Sequence, residues 1–338
     1  MARRRGAILI LVLFVMAILS LLAVSFAYRA GLKRRTTLER ATMLRLRHQA
    51  NSAAAIAMAR IKAESNNFDH PAERWQAHPP LAEDGWLPEW STDPSRRGGG
   101  YVADYQVVDE DGKLNVLAAS SEALKKLGMN ESQINCLFDW MDADDVARSE
   151  GAEDAYYQSA KACRCKNAPL EMLDELLLVR GFGAADLLGA DSDRYGRSDP
   201  RRSADGADDA LKPCWVNLLT CLGDGRINLN TAPVAVLRTL PISDQAVDQI
   251  VGFRHFDEDS GGELEAHALR CEDDIGRLQG LSDAERDVLG LVGRFTSEHF
   301  RIYARAADSR TGLEYRLEVL VRARGQGTLE VLQWNSER

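Results

Sequence analysis

Between Ala7 and Ala27 the chain runs for twenty-one residues without a charge, and this run constrains the fold more than any other feature. At 1.5 Å per residue, such a helix spans the ~30 Å hydrocarbon core of a bilayer. A cleaved secretory signal would have a shorter apolar stretch and a small-x-small site. Here helical patterning continues beyond the run, and the first proline is Pro71. Met43, Leu46, Ala50, Ala54, Ala57 and Ile61 recur on one face at three- and four-residue spacing. A single helix from Ala7 to Lys62 would be roughly 84 Å long. One small domain cannot cover that length, so its exposed apolar surface must meet lipid or similar helices. Leu11 and the face from Met43 to Ile61 are the expected contacts with such partners.

Charge divides the chain at the same place. Residues 1–62 hold 12 Lys/Arg and one acid, Glu39, whereas the remaining 276 hold 30 Lys/Arg and 50 Asp/Glu. The net charge of −9 is therefore the sum of a basic helix at +11 and an acidic body at −20. A body this acidic is a poor general binder of phosphate backbones; a cation or a protein surface suits it better. Orientation is less simple, because Arg3, Arg4 and Arg5 precede the span while Arg29, Lys33, Arg34 and Arg35 follow it. The positive-inside count alone would mislead. Six cysteines (136, 163, 165, 214, 221 and 271) lie outside the span, and their even number favours disulfides and an extracytoplasmic body. Cys163 and Cys165 are too close to pair easily with each other, so the 214–221 region is the expected partner of at least one. No C-x-x-C is present to favour zinc.

The last forty residues carry the clearest strand signal. In LEYRLEVLVRAR, Leu313, Tyr315, Leu317, Val319 and Val321 alternate with mostly charged neighbours, and HFRIYARA before it alternates likewise. TLEVLQW follows a GQG turn, so an antiparallel meander is expected. YVADYQVVDED, Tyr101 to Asp111, is a further strand far away in sequence. A half-buried sheet needs a cover, which the second half of the N-terminal helix can supply. Residues 112 to 292 read as helices and loops, giving an α+β chain whose helix-on-sheet core is interrupted by a large helical insertion. Trp75, Trp86 and Trp90 are expected to pack the connector onto that core.

Within the insertion, DGKLNVLAASSEALKKL (Asp111 to Leu127) and DGRINLNTAPVAVLRTL (Asp224 to Leu240) are alike, and KNAPLEMLDELLLVRGFG (Lys166 to Gly183) is a partial third copy. Asn115, Asn167 and Asn230 stand where helix-capping residues are wanted, with Pro169 and Pro233 in first-turn positions. The segment from Ile227 to Arg254 looks like a helix-hairpin-helix unit, which elsewhere offers backbone amides to DNA phosphate. That use needs a tight glycine hairpin; the turn here is Pro241-Ile242-Ser243-Asp244, with an acid and no glycine. A structural, SAM-like role fits better than a membrane-anchored DNA-binding protein, so nucleic acid is not expected as a partner.

In DADDVARSEGAE, Asp142, Asp144 and Glu153 fall at positions 1, 3 and 12 of a calcium loop, but Val146 and Ala147 replace the oxygen ligand and turn glycine of an EF-hand. Convergence of so many acids would need a hard cation; otherwise the stretch is a solvated acidic loop. The acidic stretches Asp191 to Asp209 and Asp257 to Glu265 mix in Ser, Gly and Arg and read as loops. The six histidines are scattered, and no phosphate-binding glycine loop or nucleophile elbow occurs. No enzyme activity and no small-molecule substrate are expected.

Several of these segments share a resemblance. The basic leader ending in Gly6, followed by Ala7 and the apolar run, resembles the class III leader of type IV pilins and pseudopilins. Most such chains carry Glu where this one has Leu11, and loss of that glutamate is characteristic of protein K of the type II secretion system. Asp139 to Tyr157, Lys166 to Gly181 and Val216 to Pro241 resemble recurrent blocks of the same family. The resemblance implies a prepilin leader over 1–6, cut by prepilin peptidase between Gly6 and Ala7, and a transmembrane and filament helix over 7–62. It also implies a pseudopilin core over 63–111 and 293–338, and an inserted helical domain over 112–292. In that domain it implies Ca2+, with Asp139, Asp142, Asp144, Glu153 and Asp154 as the best-matching ligands. It further implies an inner-membrane protein with a periplasmic body, at the pseudopilus tip with minor pseudopilins I and J.

Overall fold

The computed structural model describes residues 3–64, 66–73, 75, 101–160, 163–188, 214–255, 264–308, 310–324 and 327–337. Trp86, Trp90 and the acidic stretch Asp191 to Asp209 lie outside them, as does most of Asp257 to Glu265. One helix, α1, runs from Arg3 to Ala63, and its two halves meet different surroundings. Leu9 to Leu22 stands exposed to the outside, whereas Leu46, Ala50, Ala53, Ala54, Ala57 and Ile61 are buried.

The buried half of α1 lies on a four-stranded antiparallel sheet of order β1-β6-β7-β8. These strands are Tyr101–Asp109, His299–Asp308, Leu313–Arg324 and Thr328–Glu337. Alternation decides which face looks inward: Phe300, Ile302, Ala304 and Ala306 of β6 and Leu317, Val319 and Val321 of β7 bury against the helix. Alanines on both sides let the helix approach the sheet closely. Gly312 and Gly327, both at φ 70°, make the two turns that L-residues would strain. The meander and β1 thus lie where the sequence placed them, and Trp75 packs edge-on against Phe300 at 5.2 Å.

Strand β1 pairs with β6, Tyr101 opposite Asp308 and Asp109 opposite Phe300. Adjacent strands are therefore separated by an excursion of nearly two hundred residues. That excursion has its own apolar core, including Leu124, Leu137, Trp140, Tyr157, Leu176, Leu219, Leu237, Ile250 and Leu289, and shares no core residue with the helix-on-sheet unit. Its helices are short: α2 (Ser121–Lys126), α3 (Glu131–Met141), α4 (Asp154–Ala160), α5 (Ala184–Leu188), α6 (Val234–Leu237), α7 (Asp244–Phe253), α8 (Leu264–His267), α9 (Glu272–Ile275) and α10 (Asp283–Val292).

The excursion is not all-helical. Leu114–Asn115 (β2) pairs in parallel with Leu219–Thr220 (β3), and Ile227–Asn228 (β4) with Gly293–Arg294 (β5). These two bridges fall on the repeat, which explains its Asp-Gly-basic-aliphatic-Asn beginning. Asn115 and its repeat counterpart Asn228 each accept a hydrogen bond from the amide two residues on, closing an Asx turn. The capping role expected of Asn115 and Asn230 goes elsewhere. Ser120 caps α2, Pro233 precedes α6, and Asn230 bonds Leu269 through both ends of its amide.

Where β1 ends, three consecutive acids join the two cores. Asp109 accepts from Ser297 Oγ, Thr231 Oγ1 and Asn228 Nδ2. Glu110 pairs with Lys113 and Arg301 and accepts from Thr220 Oγ1. Asp111 binds His299 Nδ1 at 3.0 Å and the Glu298 amide. Buried charges persist only when paired and hydrogen-bonded in this way. Lys113 and Arg301 hold Glu110 down at about 2 against the opposing effect of its burial. Desolvation pushes Asp109 up to about 6, and the neighbouring Asp69, whose carboxylate accepts from the Ser297 amide, to about 8.

Candidate functional site

The acidic loop after α3 brings together some of its expected ligands and diverts others. Ligand oxygens of Asp142, Asp144 and Glu153 all lie within 4.8 Å of one another. Two like charges 4 Å apart repel by about 4 kcal/mol at an effective dielectric of about 20, so the grouping is unfavourable unless a cation joins it. Glu153 is only 6% exposed, and neither carboxylate oxygen accepts a hydrogen bond, with only the weak thiol donor of Cys165 beside it. Desolvation, with repulsion from Asp139, Asp142 and Asp145, raises its pKa. Asp142 also has a buried, unpartnered oxygen, Oδ1. Carboxylate oxygens grouped in this way, three of them buried without a hydrogen-bond donor, are the kind of ligand that could hold a hard, oxygen-seeking cation.

The two other expected ligands, Asp139 and Asp154, are engaged by protein groups. Asp139 is fully buried on α3, and its carboxylate accepts from the backbone amides of Arg148 and Ala152 and from Arg148 Nη1. It organises the loop from inside. Gly151 permits this, since a Cβ there would fall 1.9 Å from Asp139 Oδ2. Asp154 opens α4 and accepts from the Cys165 amide and Gln158 Nε2. Asn167 is the residue missed by reading spacing. At φ 47° its Nδ2 donates to the Asp144 carbonyl and to Asp145, while its Oδ1 is buried without a partner. Its place before Pro169 suits a helix cap, and only the fold brings it, 23 residues on, to the Asp144 turn.

The helix face from Met43 to Ile61 is likewise reassigned. Leu46, Ala50, Ala54 and Ala57 are fully buried and Ile61 nearly so, with Met43 packed partly against them, all on the chain's own sheet. The sheet is thus the cover for Leu46, Ala50, Ala54, Ala57 and Ile61, while Met43 stays half-buried. Leu11, by contrast, stays 62% exposed. Gly6 and Ala7 lie within α1. Among the described residues, α1 is the one helix long and apolar enough to cross a membrane, and its most apolar window is wholly unburied.

No two of the six cysteine sulfurs are bonded to one another in this structure, so the expected tie between 163/165 and 214–221 does not appear. Their sulfurs instead bond to carbonyls: Cys136 to Glu150, Cys165 to Asp139 and Cys214 to Leu187. The hairpin between α6 and α7 does not offer its amides to a phosphate. Glu285 of α10 accepts from Ser243 N and Oγ and from Ser282 N and Oγ, so a carboxylate already caps both helices. Those bonds hold the Glu285 carboxyl down at about 2.

Residues 106–201 match the family model described as type II secretion system (T2SS), protein K. This stretch holds the end of β1, helices α2 to α5 and the whole acidic loop. No curated protein sequence matches significantly. Among solved structures, the fold is similar to a chain of the GspK-GspI-GspJ complex from the type 2 secretion system of enterotoxigenic Escherichia coli. The two share a TM-score of 0.55 and 17% identity, over 90% of this chain and 99% of that one. The family model thus covers a little over a quarter of the chain, and the structural likeness, at this identity, shows a shared fold.

Proposed function

We propose that this chain is a minor pseudopilin of the type II secretion system, of the protein K family, that it caps the tip of a periplasmic pseudopilus in partnership with minor pseudopilins I and J, and that it acts by assembly rather than chemistry. The observation that carries the reading is the division of α1, with one half bare and apolar and the other fused to a sheet that bears a bulky excursion. A subunit of this shape can join a helical filament from below, while its excursion hinders another from stacking above. In this reading prepilin peptidase cuts between Gly6 and Ala7, α1 crosses the inner membrane once, and the acidic body lies in the periplasm. Leu11 in place of an acid fits a subunit with no neighbour ahead of it to pair with. Asp142, Asp144 and Glu153, with Asn167 beside them, would hold Ca2+, which would supply the positive charge that lets the loop's acids converge.

Co-expression with pseudopilins I and J tests the assembly. The three chains are expected to co-purify from detergent as one complex that withstands 0.5 M salt, roughly where Debye screening has shortened to a few ångströms. Recovery of this chain without I and J, under conditions where I and J bind each other, would refute the role.

A further inference from the structure

The acidic loop contains one cation of its own. Arg148 Nη1 lies 2.7 Å from Asp139 Oδ1 and also bonds Asp142 Oδ2. Its guanidinium is 5.6 Å from the centre of the Phe138 ring. Asp142 thus belongs to two sets at once. One oxygen is held by Arg148 and the other is buried and unpartnered, while the carboxyl is grouped with those of Asp144 and Glu153. The two sides of the contact differ in how firmly they are held. Asp139 is fully buried and keeps the backbone amides of Arg148 and Ala152 whatever the guanidinium does. Asp142 is 26% exposed at its side chain and Arg148 41%, so their contact is the one that can open.

We propose that Arg148 is a built-in counter-ion that neutralises Asp142 when no divalent cation is bound, and that a hard divalent cation, Ca2+, takes Asp142 from it. This rests on the calcium reading above. The guanidinium and the metal compete for one carboxylate, and Asp139 retains Arg148 nearby after the exchange. The loop from Asp142 to Glu153 therefore keeps its shape through loss of the ion, with an affinity reduced by the ion pair that binding must open. An exposed pair of this kind weakens apparent affinity by about two- to fivefold.

A simple clamp, in which Arg148 positions Asp142 for the metal, requires the opposite sign, and calorimetric titration of the full chain in detergent with CaCl2 separates the two. Arg148→Gln, which keeps the amide bonded to Asp139, is expected to bind calcium about two- to fivefold more tightly than the unaltered chain. Arg148→Lys, which retains the charge, should stay close to the parent. In the unaltered chain, phenylglyoxal modification of Arg148, followed by peptide mass spectrometry, should rise when calcium is added, and this readout needs no variant to fold. Weaker or unchanged calcium binding by R148Q, or modification that falls or stays level with calcium, overturns the exchange while leaving calcium binding intact. If neither the parent nor R148Q binds calcium, the calcium reading itself fails and the exchange with it.

Discussion

Glu153 combines burial, charge and a lack of donors, a combination that costs on the order of several kcal/mol if left uncompensated. Replacing it with Gln removes the charge and keeps the shape. Without calcium, E153Q is expected to melt at or above the temperature of the parent. With saturating calcium the parent should rise while E153Q does not, because a ligand at about 100 times its Kd adds about 2.7 kcal/mol only to a chain that binds it. Differential scanning calorimetry in chelator and in calcium checks both signs, and an equal calcium-induced rise in the two chains would remove Glu153 from the site. Residue spacing groups Asp142, Asp144 and Glu153, as the fold does, because an oxygen-rich loop is a local pattern. Spacing does not reveal that Asp139, three residues earlier, turns inward to gather amides. Asn167 was out of reach, its approach to the Asp144 turn being a tertiary contact.

Among the elements, α1 and the four long strands were legible because each repeats its pattern over many residues, with a period near 3.6 in the helix and 2 in the strands. The destination of the helical stripe was less legible. Met43 to Ile61 fits a sheet or a neighbouring helix equally well by periodicity, and only the fold shows that the sheet covers it. Ala54 lies at the centre of that contact, fully buried. Ala54→Leu inserts three methylene-sized groups where helix and sheet meet closely, and overpacking of this kind costs about 1–3 kcal/mol. The expected result is a lower denaturation midpoint at unchanged m-value; a stability equal to the parent would place this face in solvent or against a partner. The two parallel bridges escaped the sequence because pairs of residues carry no period. Their trace was the repeat itself, whose shared Asn closes the turn after each bridge.

At the scale of the whole molecule, a basic helix at +11 and an acidic body at −20 coincide with a physical boundary. The apolar run from Leu9 to Leu22 lies in the bare half of α1, while the body holds the sheet, the excursion and the acidic loop. Three acids at the end of β1 lock these parts together, so the excursion is held to the sheet rather than hung from it. Such a body on a bare helix is the shape expected of a subunit that ends a filament. A filament-ending role requires that this helix be a pseudopilin helix, processed as one. The most direct measurement is the intact mass of the membrane-extracted chain from cells with and without prepilin peptidase. A chain shortened by Met1 to Gly6 and beginning at Ala7 only when the peptidase is present is the expected result. The same N-terminus in both cells would contradict it.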